Sequence, residues 1–361
     1  MTDRLAVFYH IQSDAGSIDA RAASIAVEQS VEMPVEAITE PSVLNDTVGR
    51  VDSIRDLGDG RFEVRIGLSV ATTGLEAGQL INMLFGNSSI HTDVTLSDVD
   101  FPDSVLAAFP GPGPGLAGLR GTINGRAMTG SALKPQGLPP LALAKIGRDL
   151  AAGGLDFIKD DHGLANQAYA PFAARIEQCS KAIREANPQT RYIPSVTGNL
   201  DQMRVQTKIA RDNGLDAVMI APMIAGLPSL DALRRENPDL AIFAHPALAG
   251  AARIAPPLLL GKVFRLLGAD ATIFPNYGGR FGYSSETCRA LAQAALSPWQ
   301  RMAPCLPVPA GGMSAERVDE MLEFYGTDVM LLIGGALLAA KDRMTQETLA
   351  FTQKVGGYGR A

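Results

Sequence analysis

The chain predicts a mixed α/β N-terminal unit followed by a (β/α)8, or TIM, barrel. From about residue 127 onward, short apolar runs alternate with helix-length amphipathic segments. About eight such units occupy roughly 230 residues, enough to close a ring. No G-x-G-x-x-G fingerprint follows an early strand, which disfavours the main competitor, a doubly wound open sheet.

In the first hundred residues, Leu5–His10 reads as a strand and the alanine-rich Ile18–Gln29 as a helix. Thr47–Ile54 and Arg61–Ser69 form a strand pair around the turn Gly58-Asp59-Gly60, and Gly74–Phe85 is a second helix. The run Pro110-Gly111-Pro112-Gly113-Pro114-Gly115 interrupts regular structure. The expected division is therefore an N-terminal domain over 1–110, a linker over 111–126 and a barrel over 127–361. The barrel strands are expected at Met128–Lys134, Leu155–Lys159, Tyr192–Val196, Ala217–Ala221, Ala241–His245, Ala271–Phe274, Leu306–Pro309 and Val329–Ile333. Helices are expected at Leu141–Ala152, Tyr169–Ala186, Asp201–Asn213, Pro256–Leu267, Glu286–Leu296 and Ala315–Tyr325.

Composition narrows the class of function. With 46% hydrophobic and 19% charged residues, the chain has ample material for a core. A net charge of -6 lacks the basic excess of a nucleic-acid binder. The N-terminus shows no basic segment leading into an apolar run, and Pro256–Leu260 is too short to span a bilayer. Cys179, Cys288 and Cys305 have no metal-type spacing and read as reduced, buried thiols. A soluble cytoplasmic protein is the expectation.

The most informative stretch is Gly153-Gly154-Leu155-Asp156-Phe157-Ile158-Lys159-Asp160-Asp161-His162. Lys159 and Asp161 are two apart, so on a strand both point to one side. They could form an ordinary ion pair. Alternatively, CO2 on the Lys159 amine would make a carbamate, an oxygen ligand able to hold a hard divalent cation together with Asp161. Lys134 and His245 also end expected strands, and Gly311-Gly312 and Gly334-Gly335 occupy the same place in the last two units. Lysines and glycines commonly end strands because turns begin there, but five coincidences on one barrel rim point to chemistry. Amides without a neighbouring Cβ suit phosphate, so the substrate is expected to be a small phosphorylated molecule. His10 and His91 lack partners and read as surface or packing residues. Arg280, flanked by glycines, could close over an anion as a lid.

These residues resemble a known family. Lys134-Pro135-Gln136-Gly137-Leu138 is similar to the Lys-Pro-Lys-Leu-Gly motif of the RuBisCO large subunit. Gly153 to His162 is similar to its Gly-Gly-Leu-Asp-Phe-Thr-Lys-Asp-Asp-Glu metal motif. Phe109-Pro110-Gly111-Pro112 resembles a linker there, and Pro309-Ala310-Gly311-Gly312 and Ile333-Gly334-Gly335 resemble its phosphate loops. The matches run in order along nearly the whole chain. The resemblance implies an N-terminal α+β (ferredoxin-like) domain before the TIM barrel, and a homodimer that could assemble further.

The departures redirect the function. His162 replaces a glutamate ligand, Gln136 a second lysine, and Pro246 an arginine for the second phosphate. Ile273 stands for a substrate-binding histidine and Arg280 for the lid lysine, while Met33 and Pro34 replace a threonine and a tryptophan at the first phosphate site. Bisphosphate carboxylation is therefore not expected, and the chain resembles a short form IV RuBisCO-like protein. The resemblance makes Lys159 the carbamylated ligand, with Asp161 and His162 completing the metal set and Lys134 an acid/base group. His245, Gly311, Gly312, Gly334, Gly335 and Arg280 would bind substrate or its phosphate. Glu28 and Asn82 would come from a partner subunit. Mg2+ is the expected metal, although imidazole at 162 suits Mn2+, Co2+ or Zn2+ better.

The expected reaction is metal-assisted enolisation of a ketose monophosphate, specifically isomerisation of 5-methylthioribulose 1-phosphate in methylthio-sugar salvage. Alternatives are 2,3-diketo-5-methylthiopentyl-1-phosphate enolase and a decarboxylase or transcarboxylase of a 3-oxo-sugar-acid phosphate such as 3-oxo-isoapionate 4-phosphate. A non-catalytic sugar-phosphate-binding protein is a further alternative.

Overall fold

The computed structural model describes residues 3–123, 125–279 and 281–359. The chain divides into two compact units, one of residues up to Pro110 together with Leu248–Leu259, the other of Gly111–Ala247 with the residues from Leu260 onward.

The first unit is an antiparallel sheet of four strands: β1 (Arg4–Gln12), β2 (Arg50–Asp56), β3 (Arg61–Ser69) and β4 (Val94–Asp100), in the order β2-β3-β1-β4. Alternation in β1 puts Leu5, Val7, Tyr9 and Ile11 on one face, each fully buried. Ala22, Ile25 and Ala26 of the helix Ile18–Glu28 are buried in this unit, as are Leu80 and Leu84 of the helix Ala77–Phe85. The second helix begins later than its sequence suggests because Gly74 and Leu75 both take left-handed backbone angles. Glu76 then caps it, its carboxylate accepting from the amides of Gly78 and Gln79. The strand β4 was not evident in the sequence. A register shift against Phe8 and Tyr9 breaks its alternation, so Val94, Leu96 and Val99 are the buried positions. Ile254 bridges Leu96, and the Ala255 amide donates to Leu96 O at 2.8 Å. That pairing is why 248–259 belongs to this unit and not with the barrel, to which the sequence assigned it.

The second unit is a ring of eight parallel strands. They are β5 (Met128–Leu133), β6 (Phe157–Asp160), β7 (Arg191–Ile193), β8 (Ala217–Ile220), β9 (Ala241–Ala244), β10 (Ala271–Pro275), β11 (Leu306–Ala310) and β12 (Met330–Leu332). The Ser195–Met219 bridge closes the ring between β7 and β8, with the Met219 amide donating to Pro194 O at 2.8 Å. The TIM barrel expected from the sequence is thus the fold observed. Its interior is a packed core of alternate residues, among them Met128, Phe157, Ile193, Met219, Phe243, Ile273, Val308 and Met330.

The described residues of the segment read as a linker, 111–126, contribute to this core. Its helix Gly115–Arg120 buries Leu119, with Leu116 and Ile123 packed against the same cluster. The Gly115 amide, at φ +59°, donates to Asp270 Oδ1 at 2.7 Å just before β10. A Cβ at Gly113 would lie 2.3 Å from Pro238 O, so the glycines serve close approach and not flexibility. The helices Leu227–Glu236 and Met344–Gly357 were also not anticipated from the sequence. No described helix is long and apolar enough to cross a membrane.

Candidate active site at the rim of the barrel

Two-residue periodicity builds the site. In β6, Phe157 faces the barrel interior, so Lys159 does too, and Asp161 continues the series just past the strand. In β9 the same step carries Phe243 to His245, and in β5 it carries Met128 to Lys134. These positions all lie at C-terminal strand ends, the face where barrel chemistry is built.

Asp161 is the hub. Its Oδ1 lies 2.7 Å from Lys134 Nζ and 3.4 Å from His162 Nδ1. Its Oδ2 accepts from Gln136 Nε2 at 3.5 Å. Gly163 permits that approach, since a Cβ there would collide with the Gln136 amide. Burial alone would raise the Asp161 carboxyl, but hydrogen bonds from His162 and Lys134 and the charges of Lys134 and Lys159 outweigh it. They hold Asp161 well below the usual carboxylate range.

Lys159 is 4% exposed, and its Nζ donates to Asp160 O at 2.8 Å. Burial pulls its amine down to about 8, with Asp161 opposing and Lys134 adding to the fall. Such an amine is about one tenth neutral at pH 7, far more than an exposed lysine, and the neutral form is the one that attacks CO2. His245 stacks on His162 with ring centroids 4.3 Å apart and planes 11° apart. Its Nδ1 accepts from the Ala247 amide at 3.1 Å, which leaves Nε2 as the protonated nitrogen of a neutral ring. Burial, then the charge of Lys159, pushes its pKa down to about 2, so the ring stays neutral.

Lys134, Lys159, Asp161, His162 and His245 therefore form one cluster. Among the described residues no group of three or more His, Cys, Asp or Glu could by itself hold a metal. A carbamate on Lys159 would change that count, adding anionic oxygen to the Asp161 carboxylate. With the His162 imidazole beside them, this donor set fits a divalent cation.

The glycine pairs differ from each other. Gly311 and Gly312, after β11, both take positive φ, +79° and +74°. Gly334 and Gly335 follow β12, and a Cβ on either would meet nothing within 4 Å. The space a side chain would fill at either position is therefore open. Arg280 lies outside the described residues. In the first unit, Glu28 ends its helix and accepts from Asn87 Nδ2 at 2.8 Å. The neighbouring Gln29 side chain clamps the other helix, donating to Asn82 O at 3.2 Å and Met83 O at 2.8 Å. His10 lies 3.6 Å from Glu63 across the β1–β3 pair, and His91 is exposed. Neither histidine joins the cluster at the barrel rim. The His162–His245 stack and the Gln136–Asp161 contact carried no readable signal in the sequence, because each forms only through the barrel.

Residues 115–342 match the family profile of the ribulose bisphosphate carboxylase large chain, catalytic domain. The chain is 57% identical, over 99% of its length and 97% of the relative's, to a 5-methylthioribulose-1-phosphate isomerase of Rhodospirillum rubrum. It is 30% identical to a 2,3-diketo-5-methylthiopentyl-1-phosphate enolase of Geobacillus kaustophilus, over 82% of this chain and 78% of that one. Among solved structures, a Rubisco-like protein from Rhodopseudomonas palustris superposes with a TM-score of 0.94 at 52% identity, each chain covered completely.

Proposed function

The chain belongs to the RuBisCO family as a RuBisCO-like protein, and on that premise we propose that it isomerises 5-methylthioribulose 1-phosphate by enolisation. The observation that supports this best is the Lys134–Asp161 contact of 2.7 Å beside the buried Lys159 amine. It puts an acid/base group, an ionised carboxylate and a CO2-reactive amine at one mouth. The 57% identity to an isomerase of that name supports the choice of substrate.

Lys159 as a carbamate, Asp161 and His162 would hold a divalent cation, Mg2+ by family or Mn2+, Co2+ or Zn2+ by the imidazole. When bound, such a cation polarises a substrate carbonyl and stabilises charge on its oxygen. The chain's own groups then handle the protons. Lys134 Nζ takes the proton from the carbon next to the carbonyl, or returns it, with Asp161 fixing the amine's position. His245 Nε2–H, held in one tautomer by the Ala247 amide, donates to a substrate oxygen. The amides of Gly311, Gly312, Gly334 and Gly335 bind the single phosphate. Glu28 and Asn82 complete the site from a partner subunit in a homodimer.

A second reading, the enolase, has support from the Geobacillus relative at 30% identity. Incubation with 5-methylthioribulose 1-phosphate in D2O, with bicarbonate and a divalent metal, tests both. An isomerase incorporates deuterium and yields an isomeric product by NMR. Absence of exchange with this substrate, together with conversion of the diketo phosphate to an enol, would overturn the isomerase assignment.

A further inference from the structure

Between Lys159 and Asp161 lies a second carboxylate, Asp160, that faces the other way. Asp160 points out of the barrel towards the helix Phe172–Ala186 and is fully buried, as is Arg175 on that helix. Three donors converge on its carboxylate: Tyr192 OH at 2.6 Å, Arg175 Nε at 3.1 Å and the Ser195 amide at 3.1 Å. Arg175 extends the network into the segment that follows β6. Its Nη1 donates to Ala165 O at 2.7 Å and to Ala170 O at 2.8 Å. The segment is braced further by Gln167, whose side chain bonds Gly163 O and the Ala165 amide, and by Asn166, which accepts from Phe172 N.

Stability is a poor explanation for this arrangement. A buried ion pair loses hydration that its attraction only partly restores, and apolar replacements often stabilise as well. Here one donor, Arg175 Nη2, is buried without a hydrogen-bond partner. What the network does achieve is geometric. It ties β6, between the two residues aimed into the mouth, to Tyr192 of β7 and to Ala165 and Ala170 of the 161–171 segment. Outer contacts of this kind orient the groups that hold a metal.

We propose that Asp160, Arg175 and Tyr192 are positioning residues that hold Asp161 and His162 in the geometry needed for the metal and substrate. The proposal rests on the site reading given above, and its test separates the two. Arg175→Met, Arg175→Lys and Tyr192→Phe are made in the full chain. Amide hydrogen exchange across residues 161–171 is then measured, together with Mn2+ binding in bicarbonate buffer by electron paramagnetic resonance. Exchange in that segment should accelerate in Arg175→Met and Tyr192→Phe, and Mn2+ affinity should fall about 10- to 100-fold. Arg175→Lys, which keeps a charge beside Asp160, should recover part of both. Wild-type exchange across 161–171 in a folded Arg175→Met protein would overturn the proposal. If Arg175→Met does not fold, unchanged exchange in Tyr192→Phe overturns it equally. If the wild type binds no Mn2+, the metal reading fails by itself, and the exchange comparison still decides the positioning claim.

Discussion

Lys134 Nζ and Asp161 Oδ1 lie 2.7 Å apart across two strands, joining the Lys134-Pro135-Gln136 motif after β5 to the acidic end of β6. The contact gives Lys134 a fixed place beside the amine of Lys159, and it carries the first prediction. Lys134→Met should fold normally but lose proton exchange with substrate by about 100- to 10,000-fold, the range for removing a general acid/base group. Deuterium wash-in followed by NMR measures it. Exchange at the wild-type rate would remove Lys134 from the chemistry.

Lys159 is expected to be the CO2 acceptor. In 13C-bicarbonate the wild-type protein should show a carbamate carbon signal that is absent from Lys159→Ala, and exchange activity should vanish with it. Chelating the metal should abolish exchange in the wild type as well. Full activity in Lys159→Ala would exclude the carbamate.

The same lysine predicts a pH dependence of stability in metal-free, CO2-free buffer. Its pKa falls from 10.5 to about 8 on folding, so the folded state binds fewer protons than the unfolded state between those values. For a base shifted downward, folding carries the full penalty below about pH 8 and sheds it as pH rises to 10.5. The difference in urea midpoint between wild type and Lys159→Met should therefore shift in favour of the wild type across that window. A constant difference would contradict it.

His162 should set metal preference. Imidazole favours borderline ions, whereas carboxylate favours Mg2+. His162→Glu should move the ratio of Mn2+-supported to Mg2+-supported exchange towards Mg2+. An unchanged ratio would place His162 outside the metal set.

At the opposite end of the barrel, Arg234 and Asp270 form a fully buried pair, and Asp270 also accepts from the amides of Ile242 and Gly115. Arg234→Met leaves that carboxylate without its counter-charge and should cost about 3–5 kcal/mol of folding stability. Denaturant unfolding would measure it, and a loss below about 1 kcal/mol, the level of an exposed pair, would contradict it.

Local patterning alone determined the eight barrel strands, most of their helices, and the shared inward face of Lys159 and Asp161, because periodicity of two and of 3.6 is written residue by residue. Tertiary structure alone decided what depends on residues far apart in the chain. A bulge opposite Phe8 hid β4, and close backbone approach turned the proline-glycine run into part of the core. Closure of the ring stacked His162 on His245, and a helix fifteen residues downstream supplied Arg175 to Asp160. Such contacts follow from packing geometry, which no local pattern of side chains encodes.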